Sequence, residues 1–175
     1  MTAASPSLPA GDVHPVADGC QICSCNEPAT SECADLGGSC LPLTAPPQPT
    51  CGADELAING LGCGQGLLGQ STTCCLKKKD QDVCGKVNGK YIAAVDEAKK
   101  CVPYPTFAAQ CMVKATNSLS CGHLTYVNGQ GDMPKYTDLW NDLECLAVGW
   151  LCPMYMPIPP TGGSCDGSMC QDVFN

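Results

Sequence analysis

CADLGGSCLPLTAPPQPTCGADELAINGLGCGQGLLGQSTTCC, residues 33–75, is the stretch whose reading decides the fold. Its cysteines, Cys33, Cys40, Cys51, Cys63, Cys74 and Cys75, are spaced C-x6-C-x10-C-x11-C-x10-C-C. Between them lie mostly Gly, Pro, Ala, Ser, Thr and short aliphatics, and no aromatic residue. Side chains this small cannot fold a segment of this size by burial alone, so sulfur cross-links are expected to hold it. Adjacent Cα atoms lie ~3.8 Å apart, closer than a disulfide favours. Cys74 and Cys75 are therefore expected to bond two different partners and act as a hub.

Outward from that stretch the same chemistry continues. Seventeen of the 175 residues are Cys, the density of a disulfide scaffold. Such cross-links persist in oxidising places, so the expected location is secreted, extracellular or cell-surface. Most of the cysteines lack the regular Cys-x2-Cys pairs or interleaved His of a metal-binding chain. Net charge is −8, with nine lysines and no arginine. No basic stripe exists to displace counterions, so nucleic acid is not an expected partner. An anionic membrane surface is disfavoured for the same reason. No run reaches the ~20 apolar residues of a spanning helix, and the longest apolar-looking stretch, 147–158, is broken by Gly149, Pro153 and Pro157. Residues 1–20 show neither the basic start nor the apolar middle of a secretion signal.

Composition divides the chain into three parts. Residues 1–19, with Pro6, Pro9 and Pro15, are expected to form an extended Pro-rich N-terminal arm that docks on a neighbouring copy or along its own domain. Residues 20–82 are expected to be an irregular disulfide-rich module, with 76–82 as a solvated connector. Residues 83–175 are expected to be a disulfide-stapled α+β domain, because all nine aromatic residues lie between Tyr91 and Phe174. The whole is predicted to be a small, disulfide-rich α+β protein, the irregular cysteine-stapled module preceding a small two-helix α+β domain.

Within 83–175 the periodicity is explicit. Val87, Tyr91, Val95 and Ala98 step by four, four and three, which predicts a helix from Cys84, stopped by Pro103 and Pro105. Cys84 and Cys101 would then sit ~25 Å apart and could not bond each other. A short helical turn is expected over 106–114, and a strand over 118–127 before the Asn128-Gly129 turn. Asp132 is expected to cap a second helix, with Pro134 in its first turn. Tyr136, Leu139, Trp140, Leu143 and Ala147 share one face of it, and Gly149 ends it. Residues 150–156 are read as a short strand. Asp166-Gly167, between Cys165 and Cys170, predicts a terminal hairpin. Cys111, Cys121, Cys145 and Cys152 complete an even set of eight cysteines from Cys84 onward.

Two patterns carry a family resemblance. The first is GlyGlySerCys at 37–40, then Cys51, Cys63-Gly64 and CysCysLeu at 74–76. The second is Cys84, Tyr91, Ala98 and Cys101, then SerLeuSerCysGly at 118–122, ThrTyrValAsn at 125–128, Trp140, Cys145 and GlyGlySerCys at 162–165. Together they resemble uncharacterised cysteine-rich secreted and lipoprotein-type domains of the myxobacterial kind, over most of residues 33–170. The family pattern often has Cys after Cys121-Gly122, where this chain has His123. No lipobox cysteine follows an apolar leader. The resemblance implies the compartment and the disulfide bonding, and no activity.

Few residues suggest reactive chemistry. Cys20, Cys23 and Cys25 form C-x2-C-x-C. A redox pair there would need a helix start in a βαβ unit, and a zinc site would need ligands such as His14 or Cys33. Ordinary disulfides are the expected state. Nine cysteines precede residue 76, however, so this cluster holds the candidate odd or intermolecular cysteine. His123 would be the base of a hydrolase, but no nucleophile pattern accompanies it. Asp132, Asp138, Asp142 and Glu144 read as a solvated face rather than a calcium site or an acid–base pair. Thr2, Ser5, Ser7, Thr44 and Thr50, all near prolines, are candidate O-glycosylation positions.

No catalytic set, metal or cofactor is therefore expected. The leading expectation is a non-enzymatic extracellular structural or assembly subunit that associates with copies of itself through the arm, as in a surface fibre or filament. The alternative is a monomeric secreted binding module or protease inhibitor, presenting residues 41–50 as its loop. A secreted hydrolase using His123 is the third reading.

Overall fold

The computed structural model describes residues 31–42, 50–59, 61–63, 72–103, 109–154 and 157–175. The arm at 1–19, Cys20, Cys23 and Cys25, and four of the candidate glycosylation positions (Thr2, Ser5, Ser7 and Thr44) lie outside them, as does most of the 41–50 loop.

The organising strand is β3. A short helix, α1 (Glu32–Asp35), is capped by the Ser31 hydroxyl, which accepts the Ala34 N–H. It leads into β1 (Ser39–Pro42) and β2 (Glu55–Ile58), which flank β3 (Thr72–Lys77) in an antiparallel sheet of order β1-β3-β2. Successive strand residues face opposite sides of a sheet. Cys74 therefore bonds Cys33 of α1, whereas Cys75 bonds Cys51. Cys40–Cys63 ties β1 to the segment after β2. Gly38 is required where α1 meets the sheet. A Cβ there would lie 2.6 Å from a Leu76 methyl and 2.7 Å from the Cys33 sulfur.

Residues 76–82 are not simply a solvated connector. Leu76 is fully buried in β3, and Asp80 caps α2 (Gln81–Ala98) by accepting the N–H groups of Asp82 and Val83 at 3.0 Å. Val83, Val87, Tyr91 and Val95 of α2 are buried. They pack against α3 (Met133–Asp142), which buries Met133, Tyr136, Leu139 and Trp140. Trp150 stacks on Trp140 at 5.5 Å between ring centroids and donates its indole N–H to the Cys145 carbonyl. The second helix does not run to Gly149. It ends at Asp142 with Leu143 as its C-cap, Glu144 turns left-handed, and a 3-10 turn (Cys145–Val148) follows, with Ala147 exposed. That break lets Cys145 bond Cys84 on α2.

Two hairpins complete the chain. β4 (Val113–Thr116) pairs with β5 (Leu124–Val127), and β6 (Gly162–Asp166) pairs with β7 (Met169–Val173). Gly167 and Ser168 both have positive φ, the geometry of a tight hairpin turn. Lys114 thus lies in a strand, not in a helical turn. The strand read over 118–127 starts only at Leu124, because Asn88 on α2 captures the preceding residues. Its side-chain oxygen accepts the Ser118 hydroxyl at 3.0 Å and the Leu119 N–H at 2.8 Å. Among residues 150–154 there is no strand.

Cys165 and Cys170 face each other across the terminal hairpin, yet bond Cys101 and Cys111 respectively. Cys121–Cys152 is the seventh disulfide. Every described disulfide joins two residues below 76 or two above 83. The main core ignores that boundary: Cys33, Leu36, Cys74 and Leu76 pack in one cluster with Val87, Tyr91, Trp140 and Leu143. Covalent and apolar connectivity divide the chain differently. The result is a small, disulfide-rich α+β protein.

Candidate binding groove

A groove of about 1050 Å³ lies where the β4–β5 connection faces the approach to β6 and the end of β7. Three local features build it. Asn117 exchanges two bonds with His123, accepting its N–H on the side chain and donating its own N–H to the His123 carbonyl. This closes 117–123 into a tight loop, in which a Cβ at Gly122 would run into the Ser118 carbonyl. Cys121–Cys152 then staples the loop to the segment entering the proline-rich run. Finally, Thr161 donates both its N–H and its hydroxyl to the Val173 carbonyl, holding Pro160 beside the chain end.

The walls are largely apolar: Leu124, Pro157, Ile158, Pro159, Pro160 and Phe174. Ile158 is 74% and Phe174 59% exposed. Leu151 and Met154, on either side of the groove-lining Cys152 and Pro153, are fully exposed. Apolar side chains gathered around one concavity are the composition common in ligand-binding grooves. From sequence, 147–158 is too broken for a membrane span, and 150–156 within it is expected to be a short strand. The usable signal was apolar residues inside a run too rich in proline to be buried in a helix or strand.

His123 lines the same groove and is exposed. Among the described residues no hydrogen bond or ion pair reaches its imidazole. Ser118 and Ser120 are engaged with Asn88 and with each other. Asp172, also at the groove, accepts the Thr125 hydroxyl and the Tyr126 N–H, which binds β7 to β5. The described residues bring no nucleophile onto His123.

The carboxylates are dispersed. Asp138 and Asp142 are exposed along α3 and border a small cavity of 280 Å³ with Lys135. Asp132 starts α3 without a side-chain capping bond and lies at another cavity, which Lys100 also lines. Glu144 pairs with Lys79 at 2.8 Å. Glu32 accepts both from Lys135 and from the Tyr136 hydroxyl. Burial, followed by the Glu32 charge, raises the Tyr136 pKa.

Sulfurs do gather within metal-chelating distance, in Cys33–Cys40–Cys63 and in Cys101–Cys111–Cys170. Each of these sulfurs is already in a disulfide, so none offers a thiolate. Thr50 is described and exposed, and so is accessible to a sugar.

No family model, no curated protein and no solved structure matches the chain.

Proposed function

We propose that this is an extracellular structural subunit that assembles with copies of itself, linked through its N-terminal region. The count of sulfurs carries the proposal. Seven disulfides use every cysteine from Cys33 onward, which leaves Cys20, Cys23 and Cys25. Three sulfurs cannot all pair among themselves, so at least one has no partner within the 175 residues. In the oxidising surroundings that seven disulfides require, such a sulfur joins another chain or stays a free thiol. Among the described residues no helix is long and apolar enough to cross a membrane. Light scattering and non-reducing electrophoresis test the proposal. The full chain should run as a covalent oligomer that reductant collapses, and replacing Cys20, Cys23 and Cys25 by Ser should abolish the covalent species. A monomer carrying a titratable thiol overturns it.

The groove supports a second reading, a monomeric binding module that captures a foreign peptide. A rigid, disulfide-held apolar concavity suits such a role. The same scattering measurement separates the two.

A further inference from the structure

We infer that the groove between Leu124, the proline run 157–160 and Phe174 receives residues 1–19 of a second copy of this chain. The inference rests on the assembly proposal and gives it a receiving surface.

Four observations select this occupant. The first is chemical fit. MTAASPSLPAGDVHPVADG interleaves Pro6, Pro9 and Pro15 with small apolar residues and carries only two acidic side chains, Asp12 and Asp18. A chain of that composition favours the polyproline II conformation, which loses little entropy on docking. Pro-rich segments seat on grooves lined by aromatic rings. Phe174 supplies an aromatic ring here, and Pro157, Pro159 and Pro160 add apolar surface.

The second is reach. Thirty residues precede Ser31, the first described residue. Extended, they span roughly 100 Å, whereas a 175-residue globule is about 40 Å across. The segment is long enough to cross onto a neighbour.

The third is the odd sulfur. Cys20, Cys23 and Cys25 follow the segment directly, so docking of 1–19 on a neighbour carries the unpaired thiol to that neighbour's surface. A weak contact is then locked when that thiol and an unpaired Cys20, Cys23 or Cys25 of the neighbour become one disulfide, their two electrons and two protons passing to dioxygen or a small-molecule disulfide of the oxidising surroundings. The fourth is charge. A chain of net charge −8 repels its copies at long range, so association between them needs an apolar contact, and this groove offers one.

Insertion of one copy's segment into another copy's groove is a heterologous contact. Such contacts propagate into rings or open filaments.

The test uses the full chain with Cys20, Cys23 and Cys25 replaced by Ser, so that association is reversible, beside the oxidised parent. Sedimentation is followed for this chain and for its Ile158→Asp/Phe174→Ala form. Both changes fall on exposed side chains, and circular dichroism checks that the fold is kept. The expected result is at least about tenfold weaker association in the double variant, together with inhibition of the unaltered groove by a synthetic peptide of residues 1–19. If the double variant associates as tightly as its background, or the background is monomeric while the oxidised parent is a covalent oligomer, the docking is overturned and assembly stands. If the oxidised parent is itself a monomer, both are overturned.

Discussion

Lys79 and Glu144 meet at 2.8 Å, each from left-handed backbone, at φ 53° and φ 55°. The Lys79 N–H also donates to the Leu143 carbonyl at 2.9 Å. One clasp thus joins the β3–α2 turn to the end of α3, next to Cys84–Cys145. Its hydrogen bond, and then its charge, hold the Glu144 carboxyl below its ordinary value of 4.5 and the Lys79 ammonium above 10.5.

The pH dependence follows from those directions. A depressed carboxyl stabilises the fold fully above its unfolded pKa, and the contribution disappears as pH falls through the lower folded value. The raised ammonium contributes fully below its unfolded pKa and is lost only above it. Glu144→Gln should therefore be less stable than the parent near neutrality and equal to it in strong acid. Both side chains are exposed, at 55% and 48%, so added salt should shrink the difference too. Urea unfolding of both proteins across the acid range checks this; a gap that persists at the acid end would refute it.

The two long helices begin differently, and substitution should reveal it. Asp80 accepts two N–H groups at the start of α2, whereas Asp132 makes no capping bond at the start of α3. Asp80→Ala should cost about 1 kcal/mol, the usual worth of a side-chain cap. Asp132→Ala should cost no more than a few tenths, because only a dipole interaction is lost. Equal losses in denaturant titrations would show that the caps are misassigned.

How much of this was legible depends on how far apart the partners lie in sequence. α2 was readable because Val87, Tyr91 and Val95 recur at helical spacing within one segment. The Cys74–Cys75 hub was readable because it follows from Cα spacing alone. Asp80 was missed as a cap because its charged neighbours Lys77, Lys78 and Lys79 resemble a linker. The late start of β5 was invisible, since Asn88 diverts Ser118 and Leu119 from thirty residues away. The apolar, proline-rich wall of the groove was legible, but its closure into a groove was invisible for the same reason. Its walls meet only once Cys121–Cys152 closes and Thr161 bonds Val173, and no local pattern encodes either event.

Trp140 tests the shared core. It is 2% exposed, stacks on Trp150 and belongs to the cluster that includes Leu36 and Leu76 of the N-terminal part. Trp140→Ala should cost about 3–5 kcal/mol. Because that core crosses the 82/83 boundary, unfolding should remain a single transition in the variant. A loss below about 1 kcal/mol would mean that the α2–α3 packing is misread, and a split transition would mean that the two parts fold separately.

Burial should set the order in which the disulfides yield to reductant. A thiolate must reach a sulfur to attack it. Cys33, Cys74, Cys84 and Cys145 are all fully buried, whereas Cys152 is exposed and Cys121 only partly covered. Limited reduction of the native protein, followed by alkylation and peptide mapping, should label Cys121 and Cys152 before any of those four. The consequences should differ as well. Cys84–Cys145 closes a separation of 61 residues. On the chain-entropy model its removal as a Cys84→Ala/Cys145→Ala pair costs about 4 kcal/mol. Opening Cys121–Cys152 frees only the rim of the groove, so the near-ultraviolet dichroism of the Trp140–Trp150 stack should survive. Early labelling of Cys33–Cys74 or Cys84–Cys145, or loss of the tryptophan signal with the first bond reduced, would show that the groove staple and the core are not independent.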